Sequence, residues 1–419
     1  MTTSLFISNK HRFTICVSFI LILSMSSDII NSSQSEKLNN IYGAQTDVFE
    51  DTSKKYMGFQ EGSIFGSNFA AGKNHFCKIN HDEILCEGDN IYGQLGKFGD
   101  QNLKNNTFSF PEFGNPLFIS SGYNHSCSIS DRSLLICWGS DDFGQSSGHY
   151  HNKNNNDYYS INIHNKPIVS VSTGMQHTCA ITADNSVWCW GLLDKEIKNL
   201  ISSPKLFIDG HLFPSEHVSS GSKHACSIGS NSQVYCWGSN DYGQIGTFDT
   251  ILANEINLVM DINSAVSISL GLSHSCALLY DGEVKCWGDY DYGIMNSNTS
   301  IPGLHTVDVI DTIIISSGLN HACAVDLYLN LRCWGDTHFV DYPFKINPAL
   351  SLSSFGTCLT HYGDNKIRCY TDYSNFTEHG DIQLSNLDSD EDNFLNSFDS
   401  NPRDPNKSTI CDIGFYGDN

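Results

Sequence analysis

The stretch HACSIGSNSQVYCWGSNDYGQIG, from His224 to Gly246, decides the fold of this chain. Two arms of alternating residues flank the run GSNSQ, and each arm carries one cysteine. Alternation on both sides of a turn-forming run is typical of a β-hairpin. Nearly the same stretch recurs along the chain, so the hairpin is the unit from which the protein is built.

Seven cysteine pairs frame seven such hairpins, and eight to ten residues lie within each pair. The first cysteines of successive pairs are 50, 52, 47, 50, 47 and 35 residues apart. A period near 50 residues predicts a repeat architecture. The pairs are Cys77/Cys86, Cys127/Cys137, Cys179/Cys189, Cys226/Cys236, Cys276/Cys286, Cys323/Cys333 and Cys358/Cys369.

Each pair is expected to form one cross-strand disulfide. Pairing Cys226 with Cys236 places Ile228 opposite Val234 on one face of the hairpin. Opposed residues have Cβ atoms about 4.5–5.5 Å apart, and modest twist brings them within the roughly 3.5–4.5 Å of a disulfide. Zinc is the alternative, but structural zinc motifs usually space paired ligands roughly two to four residues apart. We therefore expect neither a metal nor a cofactor.

Three further positions recur with the cysteines. A glycine stands five residues before the first cysteine and a histidine two before it in six units, and Cys-Trp-Gly closes five of them. We expect the histidine to be a structural hydrogen-bonding residue and the tryptophan to be a packing residue. The glycines are Gly72, Gly122, Gly174, Gly221, Gly271 and Gly318; the histidines are His75, His125, His177, His224, His274 and His321; the tryptophans are Trp138, Trp190, Trp237, Trp287 and Trp334.

The combined pattern, G-x-x-H-x-C, a turn, then C-W-G-x-N-x-x-G-Q-L-G, resembles the regulator of chromosome condensation repeat family over roughly residues 41–375. The resemblance implies an all-β, seven-bladed β-propeller in which each repeat is a four-stranded blade. With the cysteine pairs, it implies one cross-strand disulfide per blade. The cysteine-paired version is similar to secreted relatives such as the Crinkly-type receptor ectodomains, whereas nuclear members usually lack the pairs.

The last unit departs from the pattern. Gly356 stands where the repeated histidine belongs, and Cys369 is followed by YTDYSNF instead of WGSNDYGQ. The segment NIYGAQT, Asn40 to Thr46, resembles the repeat tail NIYGQLG with no hairpin before it. We expect this N-terminal segment to complete the last blade and close the ring, which would leave only short, protected edges.

The N-terminus predicts export. Basic residues at 10–12, an apolar run of 13 residues from Phe13 to Met25 and small residues after it are typical of a secretory signal peptide. The run is too short to span a bilayer comfortably, so we expect no membrane span in the mature chain. The predicted organisation is a signal peptide at 1–26, a linker at 27–39, the propeller at 40–376 and an acidic, poorly ordered tail at 377–419.

Two kinds of modification follow from a secretory compartment. Of the 16 cysteines, Cys16 lies in the signal peptide and Cys411 has no partner within the repeat pattern, so Cys411 is expected to stay free or to link to another chain. Asn124 also begins an acceptor motif, but it lies inside a repeat core and is the weakest candidate. The predicted N-glycosylation acceptors are Asn31, Asn105, Asn298, Asn375 and Asn406.

The net charge and the sequence motifs limit the functions that this chain is expected to have. The net charge of −23 argues against nucleic acid and anionic membrane as partners, because both need a basic surface. No G-x-S-x-G, H-E-x-x-H or phosphate loop is present. We expect a secreted or extracellular-surface module that is not an enzyme and that binds an unidentified extracellular protein or glycan. The alternatives are a structural component of an extracellular coat or wall and, less favoured, a propeller hydrolase or a guanine-nucleotide exchange factor like the nuclear member of the family.

Overall fold

The computed structural model describes residues 69–149, 157–193, 200–247, 255–289, 294 and 303–335, and the backbone of four more strands up to residue 383. Every regular element among them is a β-strand. No helix in this described part is long and apolar enough to cross a membrane. The predicted signal peptide and linker, the Asn40–Thr46 segment and Cys411 lie outside the described residues.

The first three repeats each form an antiparallel four-stranded sheet with its strands in chain order. The alternating residues of each hairpin supply its two middle strands. The strands are β1 (Phe69–Ala71), β2 (His75–Asn80), β3 (Glu83–Gly88) and β4 (Asn105–Phe108); β5 (Pro116–Ser121), β6 (His125–Ser130), β7 (Leu135–Gly139) and β8 (Tyr159–Ile161); β9 (Ile168–Thr173), β10 (His177–Thr182), β11 (Val187–Leu192) and β12 (Leu200–Ile208).

The next two repeats form the same kind of sheet, and the rest of the strands belong to one seven-stranded sheet. The strands are β13 (Ser215–Ser220), β14 (His224–Gly229), β15 (Val234–Gly238) and β16 (Asn257–Leu258); β17 (Ala265–Leu270), β18 (His274–Leu279), β19 (Val284–Gly288) and β20 (His305–Val307); β21 (Thr312–Ser317), β22 (His321–Asp326), β23 (Asn330–Gly335), β24 (Val340–Leu352), β25 (Thr357–His361), β26 (Lys366–Tyr370) and β27 (Ile382–Gln383).

Strand β24 joins two hairpin units within the seven-stranded sheet. Its first part pairs with β23, where Val340 lies opposite Cys333, and its last part pairs with β25, where Leu352 lies opposite Thr357. The backbone register of β25 and β26 places Cys358 opposite Cys369. The outermost strand β27 lies beyond residue 376, which is the predicted end of the repeats.

The inner strands follow one another around an axis. Each first strand contacts the first strand of the next sheet, from β1 through β5, β9, β13 and β17 to β21. Strand β24 of the seven-stranded sheet contacts both β21 and β1. The prediction of an all-β chain built from repeated four-stranded, propeller-like sheets is confirmed. The number of seven blades stays a prediction, as does closure by the N-terminal segment.

Each described hairpin carries one buried disulfide, so the predicted staple is confirmed in six repeats. Cys226 lies opposite Cys236 and Ile228 opposite Val234, as the alternation predicted. Both cysteines are fully buried, and their Cα atoms are 4.0 Å apart. The six bonds are Cys77–Cys86, Cys127–Cys137, Cys179–Cys189, Cys226–Cys236, Cys276–Cys286 and Cys323–Cys333. The seventh, Cys358–Cys369, stays a prediction.

Replacing Cys226 and Cys236 together by alanine is expected to lower the free energy of unfolding by about 2–3 kcal/mol, because the bond closes a short loop in the unfolded chain. The effect is measured by urea unfolding in a non-reducing buffer. Adding reductant before unfolding should reduce the difference between the two proteins. An unchanged urea midpoint in the variant would contradict the stapling role.

Candidate functional site

Six glycine–histidine turns connect the first two strands of the described repeats and meet around the axis. In each turn the glycine N–H donates to the carbonyl of the histidine three residues later, at 2.8–2.9 Å. The residue after the glycine reaches the neighbouring repeat: Tyr123 N donates to Gly174 O at 3.2 Å, and Ser222 N donates to Gly271 O at 3.0 Å. These main-chain bonds link successive repeats next to the axis.

Glycine is required in these turns because two neighbours approach its Cα. A Cβ added at Gly221 would lie 2.6 Å from the Cε1 atom of His224 and 2.7 Å from the carbonyl oxygen of Gly271. Real Cβ atoms essentially never approach other heavy atoms this closely. The recurring glycine therefore allows both its own histidine and the next repeat to pack against the backbone.

The turns line a narrow channel of about 100 Å³ at the axis. Its lining is mostly backbone and small residues, and its larger side chains include Lys73, Tyr123, Met175 and Leu319. The Lys73 Nζ atom lies 4.2 Å from the centroid of the Tyr123 ring. None of the described lining residues is Asp, Glu, His or Cys, and no metal-binding group of three such residues occurs in the described part of the chain. The described lining therefore presents mainly backbone and small side chains to the channel.

At three of the described interfaces the recurring histidine bonds a hydroxyl of the following repeat. His224 Nε2 lies 2.9 Å from the hydroxyl of Ser275 in the next repeat, and that hydroxyl donates to the carbonyl of Gln244 at 2.9 Å. The same carbonyl accepts the indole N–H of Trp287 at 2.9 Å. We call this set of histidine, hydroxyl, tryptophan and glutamine carbonyl the inter-repeat latch.

The latch recurs between the second and third repeats, where His125 bonds Thr178, and Thr178 and Trp190 both donate to Gln145 O at 2.9 and 3.0 Å. Between the first two repeats it is altered. His75 lies 2.8 Å from Ser126, whose hydroxyl bonds Ser121, while Trp138 donates to Gln94 O.

The side chain of the glutamine bonds within its own turn, so its backbone carbonyl is available to accept from the next repeat. Gln244 is buried, and its Oε1 accepts the backbone N–H of Tyr242 at 2.9 Å. The same bond forms between Gln145 and the N–H of Phe143 at 2.8 Å. This hydrogen bond closes the turn that follows Trp-Gly and leaves the backbone carbonyl of the glutamine facing the next repeat.

The latch fixes the proton on the histidine. A serine or threonine hydroxyl has one proton, and at Ser275 that proton points to the Gln244 carbonyl. The hydroxyl can then only accept from His224, so the proton of the imidazole is on Nε2 and Nδ1 is bare. Consistent with a neutral ring, the Nδ1 atom of His224 is buried without a hydrogen-bond partner among the described residues.

Burial keeps these rings neutral. Desolvation lowers the pKa of His75 and His321 to about 4, and it lowers the pKa of the other four latch-position histidines to about 3. The expectation that the repeated histidine has a structural role agrees with this geometry. The five tryptophans of Cys-Trp-Gly are fully buried.

Two interfaces lack the latch hydroxyl. Ala225 and Ala322 occupy the position held by Ser275 in the fifth repeat. The preceding repeats also lack the glutamine: the third continues as LLDKEI after Trp-Gly, and the fifth has Ile294 there. The Nε2 atoms of His177 and His274 are accordingly buried without partners among the described residues. Glutamine in one repeat and a hydroxyl in the next thus occur together.

A seventh buried histidine lies outside the latch. His217 is on β13 opposite Ile228, the position that Phe118 holds opposite Ile129 in the second repeat. Neither ring nitrogen of His217 has a partner in the described part of the chain, and desolvation lowers its pKa to about 3. Ser170 and Ser267 hold this position in the third and fifth repeats. A buried ring with neither nitrogen paired is expected to cost stability.

Large apolar side chains are exposed at the opposite end of the sheets, on the turn face. We define the turn face as the hairpin turns and the connections from one sheet to the next. The two are hydrogen-bonded together, as where Ala265 N donates to Ser232 O at 3.0 Å. Three successive connections expose Leu212 (71%) and Phe213 (57%), then Met260 (67%), then Ile310 (76%). Sequence reasoning missed these residues, since single apolar residues in polar loops carry no periodic signal.

Of the predicted glycosylation acceptors, only Asn105 lies among the described residues. It is exposed on β4, while Asn31, Asn298, Asn375 and Asn406 lie outside the described part of the chain. At the weakest candidate, Asn124, the acceptor motif uses Ser126, whose side chain is fully buried and bonded to His75. Glycosylation itself stays a prediction.

Comparison with known proteins identifies the repeats. Residues 118–145, 168–192, 216–244 and 265–294, and separately 231–278, match the regulator of chromosome condensation (RCC1) repeat. The human probable E3 ubiquitin-protein ligase HERC6 is 28% identical over 131 residues, which are 29% of this chain and 12% of that protein. The chain therefore matches only about an eighth of that curated relative.

Solved structures share the fold at low identity. Prp20p from Saccharomyces cerevisiae has a TM-score of 0.59 and 16% identity, covering 71% of this chain and 82% of its own. The ectodomain of the Physcomitrella patens receptor kinase CR4 has a TM-score of 0.51 and 18% identity, covering 73% and 74%. The fold is thus that of a repeat protein with propeller-like sheets. The matches to the RCC1 repeat confirm the resemblance seen in the sequence.

Removing the latch hydroxyl is expected to destabilise the protein. Ser275→Ala leaves the buried Nε2 of His224 unpaired and should cost about 1–3 kcal/mol of unfolding free energy. Ser227→Ala is the matched control, because Ser227 is a buried serine whose hydroxyl has no partner among the described residues. Urea unfolding of both variants checks this. Equal effects from the two substitutions would contradict the latch.

Stability is expected to fall as the pH drops from about 6.5 towards 4. The buried histidines stay neutral when folded but bind protons near pH 6.5 when unfolded, so acid favours the unfolded state. Each buried histidine contributes up to about 1.4 kcal/mol per pH unit to this loss of unfolding free energy.

His217→Phe should therefore raise stability at pH 5 and make the pH dependence less steep, as measured by the free energy of urea unfolding at a series of pH values between 7 and 5. The exposed His211, changed to glutamine, is the matched control. A His217→Phe slope as steep as that of the parent protein would show that His217 is not held neutral by burial.

Proposed function

We propose that this chain is a secreted or cell-surface propeller that binds an extracellular protein or glycan and is not an enzyme. The observation that carries the proposal is the set of large apolar side chains exposed on three successive connections of the turn face, namely Leu212, Phe213, Met260 and Ile310. Exposed apolar side chains on successive loops of one face offer a surface that a binding partner can cover.

The disulfides support a secretory compartment. Six described hairpins each hold a fully buried disulfide, and such bonds persist in oxidising compartments and are rare in the cytosol and nucleus. This argues for cleavage of the predicted signal peptide at 1–26 and against an exchange-factor role in the nucleus. The exposed position of Asn105 on β4 is compatible with a glycan.

The axis channel supports binding rather than catalysis. An enzyme site needs a nucleophile within reach of a base, or an acid paired with a base. The larger side chains at the channel are Lys73, Tyr123, Met175, Leu270 and Leu319, and the histidines behind the turns are buried between repeats. The latch makes successive repeats a stable support for the loops on both faces.

The compartment is tested by expressing the full chain in eukaryotic secretory cells. We expect a secreted protein that begins near residue 27, with local disulfides in every hairpin when its peptides are mapped without reduction by mass spectrometry. A protein retained in the cell with residues 1–26 and free thiols would overturn the proposal.

The binding role is tested on arrays of extracellular proteins and of glycans with the purified protein. We expect binding that is lost in the Leu212→Ser/Phe213→Ser variant and kept in Tyr242→Ser, a matched change of an exposed side chain outside the turn face. The absence of binding on both arrays, or equal loss in both variants, would contradict the assignment of the turn face.

A further inference from the structure

Ile310 lies between two clefts on the turn face. The first cleft, of about 570 Å³, is bounded by the hairpin turn of the fifth repeat, residues 281–283, and by residues 306–311. The second, of about 400 Å³, is bounded by residues 308–310 and by the hairpin of the sixth repeat. Both clefts share Asp308, Val309 and Ile310, so a single ligand lying across Ile310 would enter both.

The two clefts are strongly acidic. Their lining includes one arginine, Arg332, whose Nη1 donates to the backbone carbonyl of Asp308 at 3.1 Å. Lys285 lies beside Glu283 at 3.9 Å, and the Oε1 of Glu283 accepts the Thr306 hydroxyl. Among the described residues around the clefts, the carboxylates outnumber these two cations. They belong to Asp281, Glu283, Asp308, Asp311 and Asp326.

A buried hydroxyl also lines the second cleft. Thr312 is 1% exposed, and its Oγ1 has no hydrogen-bond partner among the described residues. Buried hydroxyl groups are normally hydrogen-bonded, and leaving one unpaired is costly. A ligand with a polar group in this cleft would supply the missing partner.

We propose that the Ile310 ridge and its two clefts bind a lysine- or arginine-rich protein segment that carries an apolar side chain. This assignment rests on the proposed binding function and names its partner class. The apolar side chain of the partner covers Ile310, and the cationic side chains on either side of it enter the two acidic clefts. A peptide amide or carbonyl of the segment bonds the Thr312 hydroxyl.

Charge complementarity favours this occupant over the other extracellular classes. Opposite charges across an interface speed association and reject partners of like charge, so sulfated or carboxylated glycans and acidic segments are disfavoured here. A neutral glycan would not complement the negative charge of the clefts and would leave Ile310 poorly covered. A cationic segment with one apolar side chain satisfies both features.

The proposal is tested with a fluorescein-labelled peptide that has one leucine between two lysine-rich arms. Fluorescence polarisation with the full secreted protein should detect binding that weakens as salt is added. Ile310→Ser and Asp308→Asn should each weaken the affinity about tenfold, which is 1.4 kcal/mol. Ile91→Ser and Asp142→Asn are matched controls, one an exposed apolar residue and one an exposed acid, both outside the turn face.

Two further probes separate this site from general attraction to an acidic protein. Replacing the leucine of the peptide by serine should weaken its binding about tenfold, because Ile310 then loses its apolar contact. Thr312→Val should weaken the affinity for the peptide without lowering the melting temperature of the protein, since the hydroxyl has no partner within the described structure. Equal affinity for the two peptides, or for Ile310→Ser and the parent protein, would overturn the proposal.

The outcome is distinguishable from failure of the proposed function. If Ile310→Ser leaves the cationic peptide unaffected while Leu212→Ser/Phe213→Ser abolishes capture of an arrayed partner, the binding module stands and the Ile310 site falls. Binding of a neutral glycan that is lost in Ile310→Ser would likewise overturn the cationic-segment assignment.

Discussion

One backbone carbonyl at the end of a repeat holds the next repeat in place. Gln244 O accepts both the hydroxyl of Ser275 and the indole of Trp287, and that hydroxyl in turn accepts from His224. Sheets that meet only through apolar packing can shift relative to one another, because such contacts are non-directional. The buried Gln244 carbonyl accepts from two donors of the next repeat, and the histidine bonds one of them. These directional hydrogen bonds define the register between the two repeats.

The disulfides and the latch have different tasks. Each disulfide lies within a hairpin, so it limits the unfolded chain but cannot hold one repeat against another. The latch and the hydrogen bonds of the glycine turns act between repeats, where the described residues form no disulfide. Interfaces that lack the latch hydroxyl, beside Ala225 and Ala322, depend on packing, main-chain bonds and serine side chains. Ser220 bonds Ser172 across the first of them, and Ser317 bonds Ser269 across the second. The loops on the two faces are therefore carried by sheets that disulfides stabilise within each hairpin and that hydrogen bonds hold against their neighbours.

Much of this could be predicted from the sequence and part could not. Cys226 lies opposite Cys236 because the residues alternate on both sides of a local turn, so the hairpin and its disulfide could be predicted from the sequence. The partner of His224 is Ser275, 51 residues later, and single-repeat reasoning does not reach it. The available signal was the joint occurrence of glutamine in one repeat and a hydroxyl in the next. The acidic clefts around Ile310 were also missed, because they combine a connection with hairpin turns of two repeats.

The protonation state of the latch histidines tests the account most directly. Nitrogen NMR of the full protein labelled at the histidine side chains would report the proton position at His125 and His224 as the pH is lowered. The latch predicts neutral rings with the proton on Nε2, held well below pH 6 because desolvation lowers the pKa of both to about 3. Rings that carry the proton on Nδ1, or that become cationic near pH 6.5 while the protein stays folded, would contradict it.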